Sequence, residues 1–491
     1  MYVVSGALDM KVTVAVLDKQ GESALERVLE ALSLFDVRQP MHFGLVSPKK
    51  SFLEKSPGIL NRQGVTSSTL LGYVSSKPAS ASGYEFLQLD DAALVFEGRV
   101  YSPVPKTAVM EQVAKEPLHC EATLQTLIEQ TDGDYCFFMV KEGWIVAGRD
   151  PIGVQPLYFG ENRDIAAVAT NRRALWKLGI ETPMSFPPGN MAFANREGFR
   201  FKPVKTLTYQ EPKPTTLDAA AEKLQALLSE SIKRRVQGLS KVAVAFSGGL
   251  DSSVVAFLAS KCGVKVSLLH VSLENQAETE EAIEAAEALD LPLQVYLFKD
   301  SDVEAVLPQV VQLIEEPDPV KASIGVPFYW TAEKAAEESF KAVLAGQGAD
   351  ELFGGYQRYV TQYCADGSEK VRHTMFQDVA NIHQSNLERD LKITGYHDIE
   401  LRLPFASYAL AEFALQLPLE CKLEPKSDTL RKLVLRKVAQ NIGVPASVAD
   451  KPKKAVQYST GINDAVKRLA KKHQQTVGEY VAALFLQSKA A

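Results

Sequence analysis

One segment constrains the fold of this chain more than any other, because it joins a strand, a glycine loop and a helix in that order. The strand candidate Lys241–Phe246 (KVAVAF) is a short apolar run. It leads into the loop SGGLDSS, residues 247–253, and the helical pattern Asp251–Cys262 follows at once. The alternation then continues with strand, helix and strand candidates at Lys265–Val271, Glu278–Leu289 and Leu293–Phe298. Strands that alternate with helices predict a doubly wound parallel sheet.

The loop itself has the chemistry of a phosphate site. Gly248 and Gly249 let backbone N–H groups close on an oxyanion, and the positive end of the helix dipole points at the same place. Asp251 is unsuited to touch a phosphate but well suited to hold Mg²⁺ that bridges phosphates. The pattern is neither GxxxxGK[ST] nor GxGxxG. Hydroxyl donors come from Ser247, Ser252 and Ser253.

A polar segment with two prolines, 206–217, is the clearest linker candidate. It separates a first domain, 1–205, from a second domain, 218–491. The first domain consists of short apolar or alternating runs with turns between them and a few helices, such as Ala24–Leu34 and Cys120–Gln130, which predicts a β-rich layered fold. Beyond about Gly367 the pattern of the second domain becomes mostly helical. Four of the strand candidates in the first domain are Val12–Leu17, Ala92–Phe96, Tyr135–Val140 and Trp144–Gly148.

Composition narrows the possible partners and the setting. The chain has 54 Lys and Arg against 60 Asp and Glu, a net charge of −6, so a nucleic-acid surface is not expected. Its five cysteines lack metal-knuckle spacing and are odd in number, which favours a reducing, cytoplasmic setting. No run approaches the roughly 18 apolar residues of a membrane span, and the N-terminal residues make a poor signal peptide.

A second glycine-rich motif, Lys341–Tyr356 (KAVLAGQGADELFGGY), adds carboxylates at Asp350 and Glu351. By itself it is an acidic turn. Together with SGGLDSS, it resembles the second signature of the asparagine synthetase family, a branch of the ATP pyrophosphatases. The resemblance implies that Asp350 joins Asp251 around Mg²⁺, with ATP as the cosubstrate.

The resemblance covers nearly the whole chain. Residues 387–405 resemble the family segment that ends in E-x-R-x-P-F, although Ala406 and Ser407 replace the usual Leu-Asp after it. Residues 453–461 (KKAVQYSTG) are similar to the family's late lysine motif, in which one lysine contacts pyrophosphate. Lys454 is the candidate for that role, and Lys453 stays open as the alternative because the register is uncertain by one residue.

The first domain resembles the family's glutaminase domain, which implies an αββα sandwich of the Ntn-hydrolase type. The segment 147–160 (AGRDPIGVQPLYFG) carries most of this likeness. The glutaminase chemistry is lost, however. The nucleophilic cysteine is replaced by Lys11 if the first strand aligns, and the oxyanion-hole asparagine is replaced by Glu97, whose charge would repel an oxyanion. His119 replaces the acidic residue that holds the glutamine amine, and the carboxylate-clamping arginine is missing from 70–77.

Gln347, in the second domain, differs from the residue types that the family resemblance implies at its position. The family resemblance implies a glutamate here in asparagine synthetases and a tyrosine in β-lactam and carbapenam synthetases. A carboxamide does not titrate near neutral pH, so Gln347 can orient an amine but cannot deprotonate it. Another base is then required, or ammonia must arrive as the neutral molecule.

The sequence therefore predicts an AMP-forming carbon–nitrogen ligase that adenylates aspartate and transfers free ammonia to give asparagine. Catalytic roles are expected for Gln347 and Asp350, and for Lys454 on the leaving pyrophosphate; Asp251 and Asp350 would bind Mg²⁺. ATP would lie at the switch point of the sheet. The nucleotide site would consist of Ala245 and Val271 at the adenine, Gly346 nearby, and Ser247, Gly248, Gly249, Ser252 and Ser253 at the pyrophosphate.

Two alternatives stay open. One is the same adenylation with another carboxylate or amine, as in β-lactam synthetases, and the other is a non-catalytic nucleotide-binding regulator. A tRNA-thiolating enzyme is a poor third, because paired cysteines and a basic surface are missing. The resemblance also leaves open a homodimer and a separate glutaminase that supplies ammonia.

Overall fold

The chain divides into two compact units after Thr206, and each is described by itself. The computed structural model describes residues 12–35, 41–75, 84–102, 120–424, 430–451 and 460–490. The division coincides with the start of the proline-containing segment 206–217. The predicted positions Lys11, His119, Lys453 and Lys454 lie outside the described residues.

The first unit contains two antiparallel sheets. The strands are β1 (Val12–Asp18), β2 (His42–Val46), β3 (Ser51–Glu54), β4 (Thr69–Ser75), β5 (Tyr84–Gln88), β6 (Ala92–Ser102), β7 (Asp132–Lys141), β8 (Trp144–Arg149), β9 (Tyr158–Glu161), β10 (Ile165–Ala169), β11 (Met184–Ser185), β12 (Asn190–Asn195) and β13 (Gly198–Pro203). One sheet has the strand order β11-β9-β10-β1-β4-β2-β3 and the other β13-β12-β8-β7-β6-β5. The α-helices are α1 (Leu25–Ser33), α2 (Pro57–Leu60), α3 (Cys120–Gln130) and α4 (Arg172–Lys177).

Strand β1 explains why the sheets stack. Every residue of VTVAVLD is buried, because both faces of the strand are covered. Val14 and Val16 pack in a cluster with α1 and α4, whereas Ala15 and Leu17 pack in a second cluster with residues of the six-stranded sheet. A third cluster joins the far face of that sheet to α3. The layers are therefore α, β, β and α, and the predicted sandwich is confirmed.

The turn AGRDPIGVQPLY, residues 147–158, is held by buried charged side chains. The Asp150 carboxylate is fully buried and accepts the backbone N–H groups of residues 152–155, four in all. Arg149, also fully buried, donates to the backbone oxygens of Gly153 and Phe186. The motif thus closes the loop after β8 with charged side chains whose hydrogen-bonding capacity is used by the backbone.

The second unit contains a five-stranded sheet in which each strand pairs in parallel with its neighbours. Its order is β16-β15-β14-β17-β18, with β14 (Lys241–Ala245), β15 (Lys265–Leu273), β16 (Leu293–Phe298), β17 (Ala342–Leu344) and β18 (Glu400–Arg402). The chain moves outward from β14 to β16 and then returns to β17 on the other side of β14. The predicted doubly wound parallel sheet is confirmed, and its switch point lies between β14 and β17.

The helices of the second unit follow the predicted alternation and then dominate its last third, where β18 is a short exception. A π-helical turn, His383–Leu387, leads directly into the α-helix that begins at Glu388. The α-helices are α5 (Leu217–Val236), α6 (Leu250–Ser260), α7 (Ala277–Ala288), α8 (Asp300–Ile314), α9 (Pro319–Glu337), α10 (Ala349–Phe353), α11 (Gln357–Asp366), α12 (Ser368–Ala380), α13 (Glu388–Tyr396), α14 (Tyr408–Gln416), α15 (Leu433–Ile442), α16 (Ala446–Ala449), α17 (Ile462–Lys472) and α18 (Val477–Ala490).

The segment before α5 is packed rather than free. The Tyr209 ring stacks on His373 at 4.0 Å between centroids, and Arg372 lies 5.1 Å from the centre of the same ring. Arg372 also donates to the backbone oxygen of Gln210 at 2.8 Å. These contacts fix the start of the second unit on α12.

None of the helices in the described part of the chain combines the length and the apolar character needed to cross a membrane.

Buried His397 makes the stability of the second unit sensitive to acid. Its ring packs against Tyr329 at 4.3 Å, and burial lowers its pKa to about 4. A lowered histidine pKa favours the neutral ring in the folded state, so this stabilisation is complete above the unfolded pKa near 6.5 and is lost as the pH falls through about 4. We expect the unfolding free energy to fall by about 2 kcal/mol between pH 7.5 and pH 5 from this residue alone.

Urea unfolding at both pH values measures this effect. The His397→Phe variant keeps a ring in the packing but removes the titration, so its loss of stability on acidification should be smaller by that amount. His473→Phe, at an exposed ring that stacks on Tyr480, is the matched control. Equal acid sensitivity of the His397→Phe variant and the wild type would show that His397 is not the group responsible.

Candidate active site

The glycine loop after β14 is shaped by close contacts. Gly248 has φ +69°, and a Cβ there would lie 2.8 Å from the Cα of Ala282 and 2.9 Å from the oxygen of Glu281. Only glycine fits this place without a shift of α7. Gly249 is the N-cap residue of α6, so the first N–H groups of the helix open at the loop. The predicted strand, loop and helix are all present.

The second motif meets this loop at the switch point. Strands β14 and β17 pair in parallel, and therefore both glycine loops leave the sheet at the same edge. A Cβ on Gly346 would lie 2.8 Å from the Cβ of Asp251, which explains why glycine is needed there. Gly355 likewise leaves room for the Asp350 carboxylate, since its Cβ would overlap Oδ1. The two predicted carboxylates are thus brought together.

Lys432 joins these carboxylates and was missed by the sequence analysis. Its Nζ lies 2.6 Å from both oxygens of Asp251 and 2.6 Å from Oδ1 of Asp350. The lysine is 2% exposed and has φ +60°, in the left-handed region that non-glycine residues rarely adopt. A buried ammonium between two carboxylates compensates charges that would otherwise be costly to bury.

A cavity of about 370 Å³ opens at this edge of the sheet. Where the cavity adjoins β14 and β15, it is lined by Ala245, His270 and Val271. Burial lowers the pKa of His270, so the ring is neutral at neutral pH; Nδ1 donates to the oxygen of Phe246 at 3.0 Å, because that oxygen can only accept. The predicted site residues on its wall are Ala245, Ser247, Asp251, Ser252, Val271, Gly346, Gln347 and Asp350.

A smaller cavity of about 50 Å³ shares Ser247 and Asp251 with the first and contains the predicted Gly248 and Gly249. Ser253 lines neither of the two cavities; its side chain is fully buried in α6. The structure therefore separates the Ser253 side chain from the predicted loop residues that line the cavities. Lys454, predicted at this site, lies outside the described residues.

Four cations surround the smaller cavity, and none was singled out from the sequence. Arg436 donates to the backbone oxygens of Arg431 and Lys451, at 2.7 Å and 2.8 Å, and so ties the start of α15 to the residues after α16. Lys451 donates to the oxygen of Glu281, on α7, at 3.2 Å. Three of the four cations lie in the basic run RKLVLRK, residues 431–437. In the sequence, such a run is more typical of a solvent-exposed helix face than of a binding site. The cations are Arg431, Lys432, Arg436 and Lys451.

Gln347 lines the larger cavity and is anchored from behind. Its Nε2 donates to Oδ2 of Asp390 at 2.6 Å. Asp390 is fully buried, and Arg389 donates to it from Nε at 2.7 Å and from Nη2 at 3.1 Å. Burial raises the pKa of Asp390, whereas Arg389 and Gln347 oppose that shift.

Another buried carboxylate, Glu351, holds two further polar side chains that line the larger cavity. Tyr356 donates to its Oε1 at 2.5 Å and Asn386 donates to the same oxygen at 2.7 Å. Burial raises the pKa of Glu351, and the neighbouring Asp350 adds to the shift. Tyr356 and Asn386 both line the larger cavity, so Glu351 holds two polar side chains on its wall.

In the first unit, Glu97 is buried, at 5% exposure, and its charge is used internally. Thr13 donates from Oγ1 to its Oε2 at 3.1 Å, and Gln155 donates from Nε2 to its Oε1 at 2.8 Å. Cys136, on the neighbouring strand β7, is also buried. Burial raises the pKa of its thiol well above the usual value, and the negative charge of Glu97 raises it further. This thiol is therefore unsuited to act as a nucleophile.

Comparison with known proteins identifies a family. The Asparagine synthase family model matches residues 223–367 and 362–489. A putative glutamine-hydrolysing asparagine synthetase of Methanocaldococcus jannaschii is 33% identical over 70% of this chain and 72% of its own length. A glutamine-hydrolysing asparagine synthetase of Asparagus officinalis is 26% identical over 71% of this chain, which spans 61% of that relative's length.

Two solved structures have partial likeness. One is a glutamine phosphoribosylpyrophosphate amidotransferase of B. subtilis, 15% identical, with a TM-score of 0.31 and coverage of 58% of this chain and 65% of that one. The other is an NMN synthetase of Francisella tularensis, 16% identical, with a TM-score of 0.29 and coverage of 56% and 92%. Neither likeness bears on function.

Lys432 should compete with divalent cations for Asp251 and Asp350. The Lys432→Met variant removes the ammonium and leaves the two carboxylates facing each other, so nucleotide-free protein should bind Mn²⁺ at least about tenfold more tightly than the wild type. Titration of free Mn²⁺ by electron paramagnetic resonance measures this affinity.

Lys467→Met, at an exposed lysine paired with Asp464 at 2.9 Å, is the control for loss of one positive charge. A Lys432→Met variant that melts cooperatively but binds Mn²⁺ no better than the control would contradict the competition.

Proposed function

The chain belongs to the asparagine synthase family, and on this premise we propose that it is an ATP-dependent, AMP-forming ligase that converts aspartate and free ammonia to asparagine. The observation that carries the proposal is the convergence of Asp251, Asp350 and Lys432 beside a glycine loop at the switch point of a parallel sheet. Ligands of open α/β sheets bind in that crevice. Paired carboxylates and a lysine next to a phosphate loop suit the transfer of a nucleotidyl group better than nucleotide binding alone.

The larger cavity suits ATP with its adenine between β14 and β15. There Ala245 and Val271 offer backbone groups, and Gly346 leaves room for the sugar and α-phosphate. The β- and γ-phosphates would lie on Ser247, Gly248, Gly249 and Ser252, at the positive end of α6. Lys454 remains the proposed additional pyrophosphate ligand.

Asp251 and Asp350 have the donor chemistry that Mg²⁺ needs when phosphates supply the remaining oxygens. Their carboxylates converge on one point, where the Lys432 ammonium lies. When bound there, Mg²⁺ would neutralise phosphate charge and polarise the phosphoryl oxygens. Lys432 would then meet phosphate oxygens instead of both carboxylates.

The remaining residues of the site stabilise charge. An aspartate carboxylate attacks the α-phosphorus of ATP, the acyl-adenylate forms, and pyrophosphate departs with the bonding electrons. The departing charge grows next to the four-cation cluster of the smaller cavity, which is preorganised by the hydrogen bonds of Arg436 and Lys451. Ammonia then attacks the acyl carbon, and AMP leaves.

The first unit is proposed to lack glutaminase activity. The family resemblance implies that Glu97 occupies the position of an oxyanion-hole donor. Its carboxylate is instead an acceptor, and it accepts hydrogen bonds from Thr13 and Gln155. Those bonds make the carboxylate part of the sandwich rather than part of an open site. Ammonia from solution, or from a separate glutaminase, is the proposed nitrogen source.

A second candidate is the same adenylation with a different acid or amine. The interaction of Gln347 with Asp390 supports this second candidate. At this position the cavity presents an amide, whereas the family resemblance implies a glutamate in asparagine synthetases. Exchange of pyrophosphate into ATP, measured with one acid at a time, separates the two candidates.

With ATP, Mg²⁺ and aspartate, ammonium should give asparagine, AMP and pyrophosphate in equal amounts. Glutamine should give less than about 1% of that rate, because Lys11 and Glu97 stand at the expected positions of the nucleophile and the oxyanion-hole donor. Chromatography of amino acids and nucleotides measures all products.

Asp251→Asn is the control against a contaminating synthetase, since it should abolish turnover with ammonium. Equal rates with glutamine and ammonium, in protein free of contaminating glutaminase, would refute the proposed loss of the glutaminase. Pyrophosphate exchange with another acid but not with aspartate would refute asparagine synthesis.

A further inference from the structure

Gln347 is a polar side chain on the cavity wall, and the proposed reaction has so far given it no defined contact with a substrate. It is half-buried, and its carboxamide can donate through Nε2 or accept through Oε1. Which of these two groups faces the cavity decides whether the wall attracts a donor or an acceptor.

Asp390 decides this orientation. An ionised carboxylate accepts hydrogen bonds and cannot donate them, so the side of the amide that faces Asp390, at 2.6 Å, must be the NH₂ group. Asp390 does not itself line the cavity, whereas Gln347 does. Within the described part of the chain, Oε1 of Gln347 has no hydrogen-bond partner, and it is left as an acceptor for whatever enters.

Arg389 keeps Asp390 in the state that this orientation requires. Burial by itself favours the protonated Asp390 carboxyl. In that state Asp390 could donate a hydrogen bond to Oε1 of Gln347, and the amide group could rotate by about 180°. The two charge-assisted bonds from Arg389, at 2.7 Å and 3.1 Å, favour the carboxylate. The side chains of Arg389 and Asp390 are 2% and 0% exposed, so the pair is shielded from solvent ions.

We propose that Asp390 is a positioning residue that fixes Gln347 with its amide oxygen toward the cavity, where this oxygen accepts an N–H bond from neutral ammonia and orients it for attack. The inference rests on the proposed function and deepens it by naming how the amine is held and in which protonation state.

The step balances without a protein base. The lone pair of NH₃ forms the C–N bond to the acyl carbon while one N–H points to Oε1 of Gln347. The C–O bond to AMP breaks, AMP keeps its electron pair, and the surplus proton leaves to water. Because the amide does not titrate, the rate at low total ammonium should rise about tenfold per pH unit below the pKa of ammonium.

The decisive experiment compares amide formation with aspartate-dependent pyrophosphate exchange in Gln347→Leu and Asp390→Asn. Leucine removes the acceptor at similar volume. Asparagine at position 390 can donate to Oε1, so Gln347 can present NH₂ to the cavity instead. In both variants the KM for ammonium should rise about three- to tenfold, which is the effect of losing one oriented hydrogen bond. The rate of aspartate-dependent pyrophosphate exchange should change by a smaller factor than this KM.

Gln347→Leu keeps the test decisive if Asp390→Asn fails to fold, since the leucine variant leaves the Arg389–Asp390 pair intact. Asp300→Asn, at an exposed carboxylate paired with Arg468 at 2.6 Å, controls for the loss of a charge. Gln347→Glu adds a readout that a structural role would not move: a titrating base should flatten the rise of rate with pH.

An unchanged KM for ammonium in Gln347→Leu, or an equal loss of exchange and amide formation, would overturn the proposal. So would a wild-type rate that does not follow the fraction of neutral ammonia. Failure of the proposed function is recognised separately, because the wild type would then show no aspartate-dependent exchange at all.

Discussion

The buried ion cluster of Lys432, Asp251 and Asp350 is the interaction on which the site depends. Its members come from three segments: the first turn of α6, the first turn of α10 and the residue before α15. Charges at this depth are tolerated only when they are paired, so each segment is held by the other two. The glycine loop, both cavities and the cation cluster are all arranged around this one point.

The sheet makes the cluster possible. Parallel pairing of β14 with β17 brings two loops to one edge, and Gly346 allows them to approach to a distance that any Cβ would prevent. The same edge then receives the start of α15. Binding groups are thus supplied by backbone geometry first and by side-chain chemistry second, which suits the proposed binding of a large, highly charged nucleotide.

The first unit separates fold from chemistry. In its described residues, apolar clusters fill the space between the two sheets and cover their outer faces, and this packing does not depend on a catalytic residue. Glu97 is accommodated there because Thr13 and Gln155 supply hydrogen bonds to both of its oxygens. The layers of such a sandwich do not require glutaminase chemistry, since packing and catalysis depend on different side chains.

Local periodicity, glycines with special backbone demands and family motifs were enough to predict the strand–loop–helix units, the αββα layering and two carboxylates of the candidate site. Two further residues become recognisable as parts of the candidate site in the folded chain: Lys432, 181 residues from Asp251, and Asp390, 43 residues from Gln347. A lysine in a basic run and an aspartate beside an arginine look like ordinary solvated side chains in a sequence. Their roles depend on burial and on partners far along the chain, and both are decided only when the sheet and its helices close around them.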